Sequence, residues 1–230
     1  FHAQTGGSTL TAQQPENNIV RTTIQALAAT LGGTQSLHTN SFDEALGLPT
    51  ERAAEIALRT QQVLAYESGI TGTADPLAGS YYMEYLTREL ERQVLKIMDE
   101  IDRRGGAVRC VESGYYRDEI ARAAYEYQKQ IESGDRTVIG VNRFTTDEAD
   151  IPHVLKVDPK LEKQQRDQLQ KMKSERDNSR VQECLQRLRE AAVGADNVVY
   201  PVIEAVENYA TVGEISDVFR EVWGEYHEGN

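Results

Sequence analysis

Four histidines, His2, His38, His153 and His227, are the side chains best suited to proton chemistry near neutral pH in this chain. None stands in a His-x-x-x-His or Cys-x-x-Cys arrangement, so no zinc site is expected. The two cysteines, Cys110 and Cys184, are too far apart in sequence to suggest a disulfide framework or a metal knuckle. A Gly-x-Ser-x-Gly elbow and a Walker-type phosphate loop are both missing. Asp43 and Glu44 are neighbours, but adjacency alone does not make an acid–base pair. Two clusters remain: His2, Gln4, Thr5, Gly6 and Gly7, then His38, Asn40, Asp43 and Glu44. They carry amides, imidazoles, hydroxyls and carboxylates, with ample hydrogen-bonding capacity and no strong nucleophile. Such a set suits holding a large polar ligand better than attacking a bond, and glycine lets backbone approach a flat ligand closely. A plainer reading makes His2 and His38 hydrogen-bonded residues at strand ends. Spacing alone leaves both readings open.

The clusters recur because the elements that carry them recur. One stretch begins Phe1-His2-Ala3-Gln4-Thr5, runs through a polar loop to Pro15 and ends at Gly32-Gly33. A second begins Thr34-Gln35-Ser36-Leu37-His38-Thr39-Asn40, runs to Pro49 and ends at Ser68-Gly69. The spacing is close to one βα unit of an eight-fold barrel, about 31 residues in a barrel of about 250. Val20, Ile24, Leu27 and Leu31 predict one apolar stripe on the first helix. Ala53, Ile56, Ala57, Thr60 and Val63 predict another on the second, with Thr50 as N-cap. Strand, loop and helix, repeated, read as parallel α/β structure. The loops after the strands are where a barrel of this kind places its active site.

After Gly69 the pattern becomes helical. Leu86, Leu90, Val94, Ile97 and Ile101 mark one helix, and Ile120, Ala124, Tyr127 and Ile131 another. A strand-like run, Thr137-Val138-Ile139-Gly140-Val141, follows, then a surface connection at Asp147-Glu148-Ala149-Asp150. Helices are expected near 158–173 and 178–192, with two shorter ones behind them. This divides the chain into 1–69, two βα units; 70–150, a helical extension with one short strand; and 151–230, a helical C-terminal segment. Lys plus Arg is 25 against Asp plus Glu at 37, a formal net charge of -12 that disfavours a nucleic-acid partner. Mixed charge between Lys156 and Arg189 reads as a solvated helical face, and acids dominate beyond Gly194. No window reaches the roughly 20 apolar residues that span a bilayer. With two unpaired-looking cysteines, the expected setting is a reducing cytoplasm.

Several of these segments match a known pattern. Phe1-His2-Ala3-Gln4-Thr5-Gly6-Gly7-Ser8-Thr9-Leu10-Thr11-Ala12-Gln13 resembles a signature of the adenosylcobalamin-dependent acyl-CoA mutases, specifically the methylmalonyl-CoA mutase family. Asn17-Asn18-Ile19-Val20-Arg21-Thr22, Gly33 through Asn40, and Asp43-Glu44-Ala45-Leu46 are similar in the same way. So are Tyr66-Glu67-Ser68-Gly69, Gly140-Val141-Asn142, Leu155-Lys156-Val157-Asp158 and Ala210-Thr211-Val212-Gly213-Glu214. The likeness runs through about Tyr226. It most resembles a large subunit whose cobalamin-binding domain is a separate small chain.

The resemblance implies the last two βα units of a (β/α)8 TIM barrel followed by a mainly α-helical C-terminal extension. It implies radical carbon-skeleton rearrangement of an acyl-CoA, with (R)-methylmalonyl-CoA to succinyl-CoA foremost and isobutyryl-CoA or 2-hydroxyisobutyryl-CoA as alternatives. By motif position, His2 and Gln4 face substrate, and Gln4, Gly7, Glu44, Ala45 and Gly47 face the corrin of adenosylcobalamin. Glu44 has a plainer reading as a rim salt bridge. The family's catalytic Tyr, Arg and His have no counterpart here, and neither does its cobalt-ligating Asp-x-His-x-x-Gly motif. The chain is therefore expected to be inactive alone and to work with the remaining barrel and a small cobalamin-binding subunit, with a GTPase chaperone as a further partner. Its open sheet edges are expected to make it oligomeric or aggregation-prone when isolated. The reading of another class is a non-catalytic scaffold that docks a cobalamin-binding subunit.

Overall fold

The computed structural model describes residues 1–146 and 154–227. The connection expected at 147–150 lies outside the described residues. The chain is mostly helical with a small two-stranded parallel sheet, and it divides into two compact units, Phe1–Leu155 and Lys156–Asn230.

In the first unit, strands β1 (His2–Gln4) and β2 (Ser36–His38) pair in parallel, with His2 opposite Ser36, Ala3 opposite Leu37 and Gln4 opposite His38. Side chains alternate along a strand, so His2, Gln4, Ser36 and His38 share one exposed face while Ala3 and Leu37 turn to the other and are half-buried. Helix α1 (Asn17–Leu31) makes the crossover that parallel pairing requires. It packs on β2 and on α2 (Glu51–Tyr66). Glycine ends α1, Gly33 adopting φ +79.

The buried face of α1 differs from the predicted stripe. Asn18, Thr22 and Ala26 are buried, whereas Val20 and Ile24 are 59% and 62% exposed. On the inward side of α1 the Asn18 amide meets loop backbone at Thr11 and Phe42, which an aliphatic side chain could not satisfy, and the small Thr22 and Ala26 continue that buried face. On α2, Ala53, Thr60 and Leu64 are buried and Val63 is exposed. Thr50 caps α2 as expected, its hydroxyl accepting from Ala53 N at 3.2 Å. Thr50→Ala should cost about 1 kcal/mol, the usual worth of such a cap, and Thr50→Ser should restore it; chemical denaturation of the chain measures both.

Helices α3 (Tyr81–Arg103), α4 (Ala107–Glu112) and α5 (Tyr115–Ser133) follow. Within them only Cys110 is buried. The predicted α3 stripe is amphipathic, but Leu90, Val94 and Ile97 stand exposed. The strand-like run at Thr137–Val141 forms a single bridge, Ile139 to Arg143, instead of a strand. Gly140, at φ +82, turns the chain, and Asn142 folds back to accept from Val138 N at 2.8 Å, so the backbone closes on itself.

The second unit comprises α6 (Pro159–Glu175), α7 (Asn178–Val193), α8 (Val199–Glu207) and α9 (Val212–Trp223). Helix α7 packs on α8 and α9 around Val181, Leu185, Leu188, Ala205, Ile215 and Val218. Asp158 and Asp177 cap α6 and α7, and Thr211 with Glu214 forms a capping box on α9. Among the described residues, no helix is long and apolar enough to cross a membrane.

Candidate functional site

The two clusters picked out by composition meet at the C-terminal end of the paired strands. Parallel pairing carries past β1 and β2: Thr5 N donates to His38 O at 3.1 Å. The buried Thr5 hydroxyl then donates to Asn40 Oδ1 at 2.5 Å and accepts from Asn40 N at 2.9 Å. This reciprocal pair joins the loops that follow the two strands. Gly6 N donates to Gln25 Oε1 at 2.6 Å, which ties the first loop to α1. Residues Gly7–Thr9 then form a 3-10 turn.

Gly7 lies where the loops touch. A Cβ there would stand 3.0 Å from Glu44 Oε1 and 3.2 Å from Asn40 Nδ2, closer than ordinary contact. Glycine at this position thus lets the second loop close on the first. Gly47 is similarly tight, since a Cβ there would meet Val154 Cγ1 at 3.0 Å.

Asp43 and Glu44 have opposite fates. Asp43 is buried, its Oδ2 accepting from Thr50 N at 2.9 Å and Thr50 Oγ1 at 3.1 Å while its carbonyl accepts from Leu46 N. It builds the loop. Glu44 and Ala45 are exposed. The rim salt bridge weighed for Glu44 is not formed among the described residues. A cleft of about 250 Å³ beside it is lined by His38, Thr39, Ser41, Glu44 and Gln61, among others. The Ser41 hydroxyl and Asp43 Oδ1 are buried with no hydrogen-bond partner among the described residues. His2 Nδ1 lies 2.7 Å from Ser36 Oγ, a hydrogen bond across the paired strands.

The rim therefore offers hydrogen-bonding groups in the open, on a backbone held from beneath. Gln4, Ser36 and His38 project from one strand face, and Glu44 stands beside Gly7. This donor set fits the edge of a corrin, whose periphery carries amide side chains that both donate and accept. Among the described residues, no three His, Cys, Asp or Glu side chains gather as a metal site.

Residues 1–225 match the family model described as methylmalonyl-CoA mutase. The chain belongs to the methylmalonyl-CoA mutase family. It is 43% identical over 230 residues to the 2-hydroxyisobutanoyl-CoA mutase large subunit of Aquincola tertiaricarbonis, covering 99% of this chain and 41% of that protein. It is 45% identical over 231 residues to the mitochondrial methylmalonyl-CoA mutase of Homo sapiens, covering 100% of this chain and 31% of that one. The methylmalonyl-CoA mutase of Escherichia coli (strain K12) is 43% identical over 226 residues, covering 98% and 32%. The chain thus spans less than half the length of these relatives.

In this member of the methylmalonyl-CoA mutase family the hydrogen bonds give structural roles to three residues of the chemical inventory and add two that it passed over. Thr5, Asn40 and Asp43 are structural members of the rim, and Asn18 and Arg21 lie behind it. The Asn17–Thr22 motif, already picked out by its resemblance, holds both Asn18 and Arg21.

Proposed function

We propose that this chain forms the cofactor-facing rim and C-terminal extension of an adenosylcobalamin-dependent acyl-CoA mutase. The observation that carries the reading is the open rim at the end of the parallel strand pair, with Gln4 presented at the end of β1 and Glu44 on the loop after β2, the two post-strand loops being locked together by Thr5 and Asn40. Adenosylcobalamin, when bound, supplies the radical chemistry of the rearrangement, and the protein supplies binding, orientation and shelter.

On this reading β1 and β2 are the last two strands of a TIM barrel, residues 1–69 complete its wall, and 70–150 and 151–230 are the extension. His2 and Gln4 hold the acyl-CoA. Gln4, Gly7, Glu44, Ala45 and Gly47 line the corrin, with the Gly7–Thr9 turn giving its backbone to the contact. These groups orient and exclude water; none of them attacks a bond. The cobalt ligand comes from a separate domain or small cobalamin-binding subunit, and a GTPase chaperone serves loading. Two buried, unpaired cysteines, Cys110 and Cys184, agree with a reducing cytoplasmic setting.

The substrate is (R)-methylmalonyl-CoA, converted to succinyl-CoA, with 2-hydroxyisobutyryl-CoA or isobutyryl-CoA as the alternative. The likeness to the Aquincola tertiaricarbonis large subunit supports keeping that alternative. The scaffold reading finds its support in the exposed apolar face of α3. One experiment decides among them. The complete protein containing this chain is assembled with its cobalamin-binding part and adenosylcobalamin, then assayed with each of the three acyl-CoA esters. Isomerised product from one ester is expected. No product from any would overturn the mutase reading and leave the scaffold.

A further inference from the structure

We infer that Asn18 is a positioning residue that locks the two rim loops to each other, so that Gly7 and Glu44 meet the ligand as one surface; the ligand part of this inference rests on the mutase reading above. Asn18 sits in the first turn of α1 and is fully buried. Its Oδ1 accepts from Thr11 N at 3.1 Å and from Arg21 Nη1 at 2.7 Å. Its Nδ2 donates to Thr11 O at 2.8 Å and to Phe42 O at 2.8 Å. Two acceptor positions and two N–H groups are the whole capacity of the amide, and all are used.

The partners identify the role. Thr11 belongs to the loop that follows β1, and Phe42 to the loop that follows β2, two residues before Glu44. Thr5 and Asn40 already join those loops where they leave the strands. One joint would allow the loops to pivot. A second, at Asn18, removes that freedom and fixes the approach of Glu44 to Gly7. Arg21 extends the lock: Nη1 donates to Thr11 Oγ1 at 3.0 Å and Nη2 to Ile139 O at 2.8 Å. The Gly140 turn is thereby held against the same corner, with Gln14 Nε2 donating to Phe144 O at 2.8 Å. Burying an amide costs desolvation that only its hydrogen bonds offset, and an apolar residue could fill the same volume without addressing either loop. Fully satisfied polar networks of this kind specify one arrangement, and small misplacements at a binding rim are expensive.

The test uses the complete protein with Asn18→Ala and Asn18→Asp. The second variant keeps the shape and replaces the two donors with an acceptor facing the carbonyl oxygens of Thr11 and Phe42. Amide hydrogen exchange is followed by mass spectrometry without cofactor, and adenosylcobalamin affinity is measured by absorbance titration. Exchange should rise by about tenfold or more in 5–14 and 39–49 together, with 181–188 of the second unit unchanged, and the Kd for adenosylcobalamin should rise about tenfold. Loosening of one loop only, loosening spread equally through α1 and α2, or loosened loops with wild-type Kd would each overturn the inference. Should Asn18→Ala not fold, Asn18→Asp carries the same expectations. If the wild-type protein binds no adenosylcobalamin, the mutase reading fails, while the paired exchange response still decides whether Asn18 joins the loops.

Discussion

Arg176→Ala should unfold the second unit at distinctly lower urea than wild type, a loss of about 2–3 kcal/mol. Arg176 follows the last turn of α6, and its side chain is 5% exposed. Its Nη1 and Nη2 donate to Glu214 Oε2 and Oε1 at 2.8 and 2.5 Å, a two-pronged pair. Nη1 also donates to Tyr209 O at 2.7 Å, and so holds a residue whose φ is +64. Removing the guanidinium deprives a half-buried carboxylate of its main partner. The loss stays below the range for a fully orphaned charge because Thr211 N and Oγ1 still donate to Glu214 at 2.8 Å, and Lys173 Nζ lies 3.5 Å away.

The same pair sets a pH dependence with a definite sign. The Arg176 hydrogen bonds hold the Glu214 carboxyl well below the usual carboxylate range, against burial, which alone would raise it; Thr211 adds to the lowering. A carboxyl depressed on folding contributes stability above its unfolded value, about 4.3. That contribution is lost as pH falls through the folded value. Wild type and Arg176→Ala should therefore differ most near neutrality and converge in acid. Trp223, the only tryptophan of the chain, donates to Ala192 O at 3.0 Å and stacks on Phe219, so its fluorescence reports unfolding of this unit. Equal stability of the two proteins at pH 7 would count against the pair.

Gly7→Val should weaken adenosylcobalamin binding by the complete protein about 30-fold, an overpacking penalty of about 2 kcal/mol expressed at the rim. The added Cβ meets two side chains of unequal freedom. Asn40 cannot yield without breaking its bonds to Thr5, so Glu44 must swing away. Gly7→Ala asks for a few tenths of an ångström and should cost less than Gly7→Val. Wild-type affinity in Gly7→Val would mean that contact between the loops does not shape the binding surface.

Much of this was legible from residue types. Thr50 as a cap, glycine after α1, and helices at Pro159–Glu175 and Asn178–Val193 follow from local rules that act within a turn or two. The failures come from contacts made at a distance. Val20 and Ile24 satisfy a helical period, but periodicity cannot tell which face another element will cover, and α1 turns its polar side inward to meet the loops. Thr137–Val141 has strand-like residues, but Gly140 and the Asn142 side chain offer the backbone a tighter alternative. Asp43 and Glu44 look equivalent in sequence; only the second loop's closure on Thr50 makes one a buried brace and the other an open group. Arg176 and Glu214 are 38 residues apart, beyond the reach of any local pattern.

The most direct test is a structure of the complete protein with adenosylcobalamin bound, read for what touches the corrin. Gln4, Gly7, Glu44, Ala45 and Gly47 should lie along the ring and its amide side chains, with Asn18 behind them joining the two loops. If those five residues instead face packed protein, remote from the bound cofactor, the account of this rim is wrong.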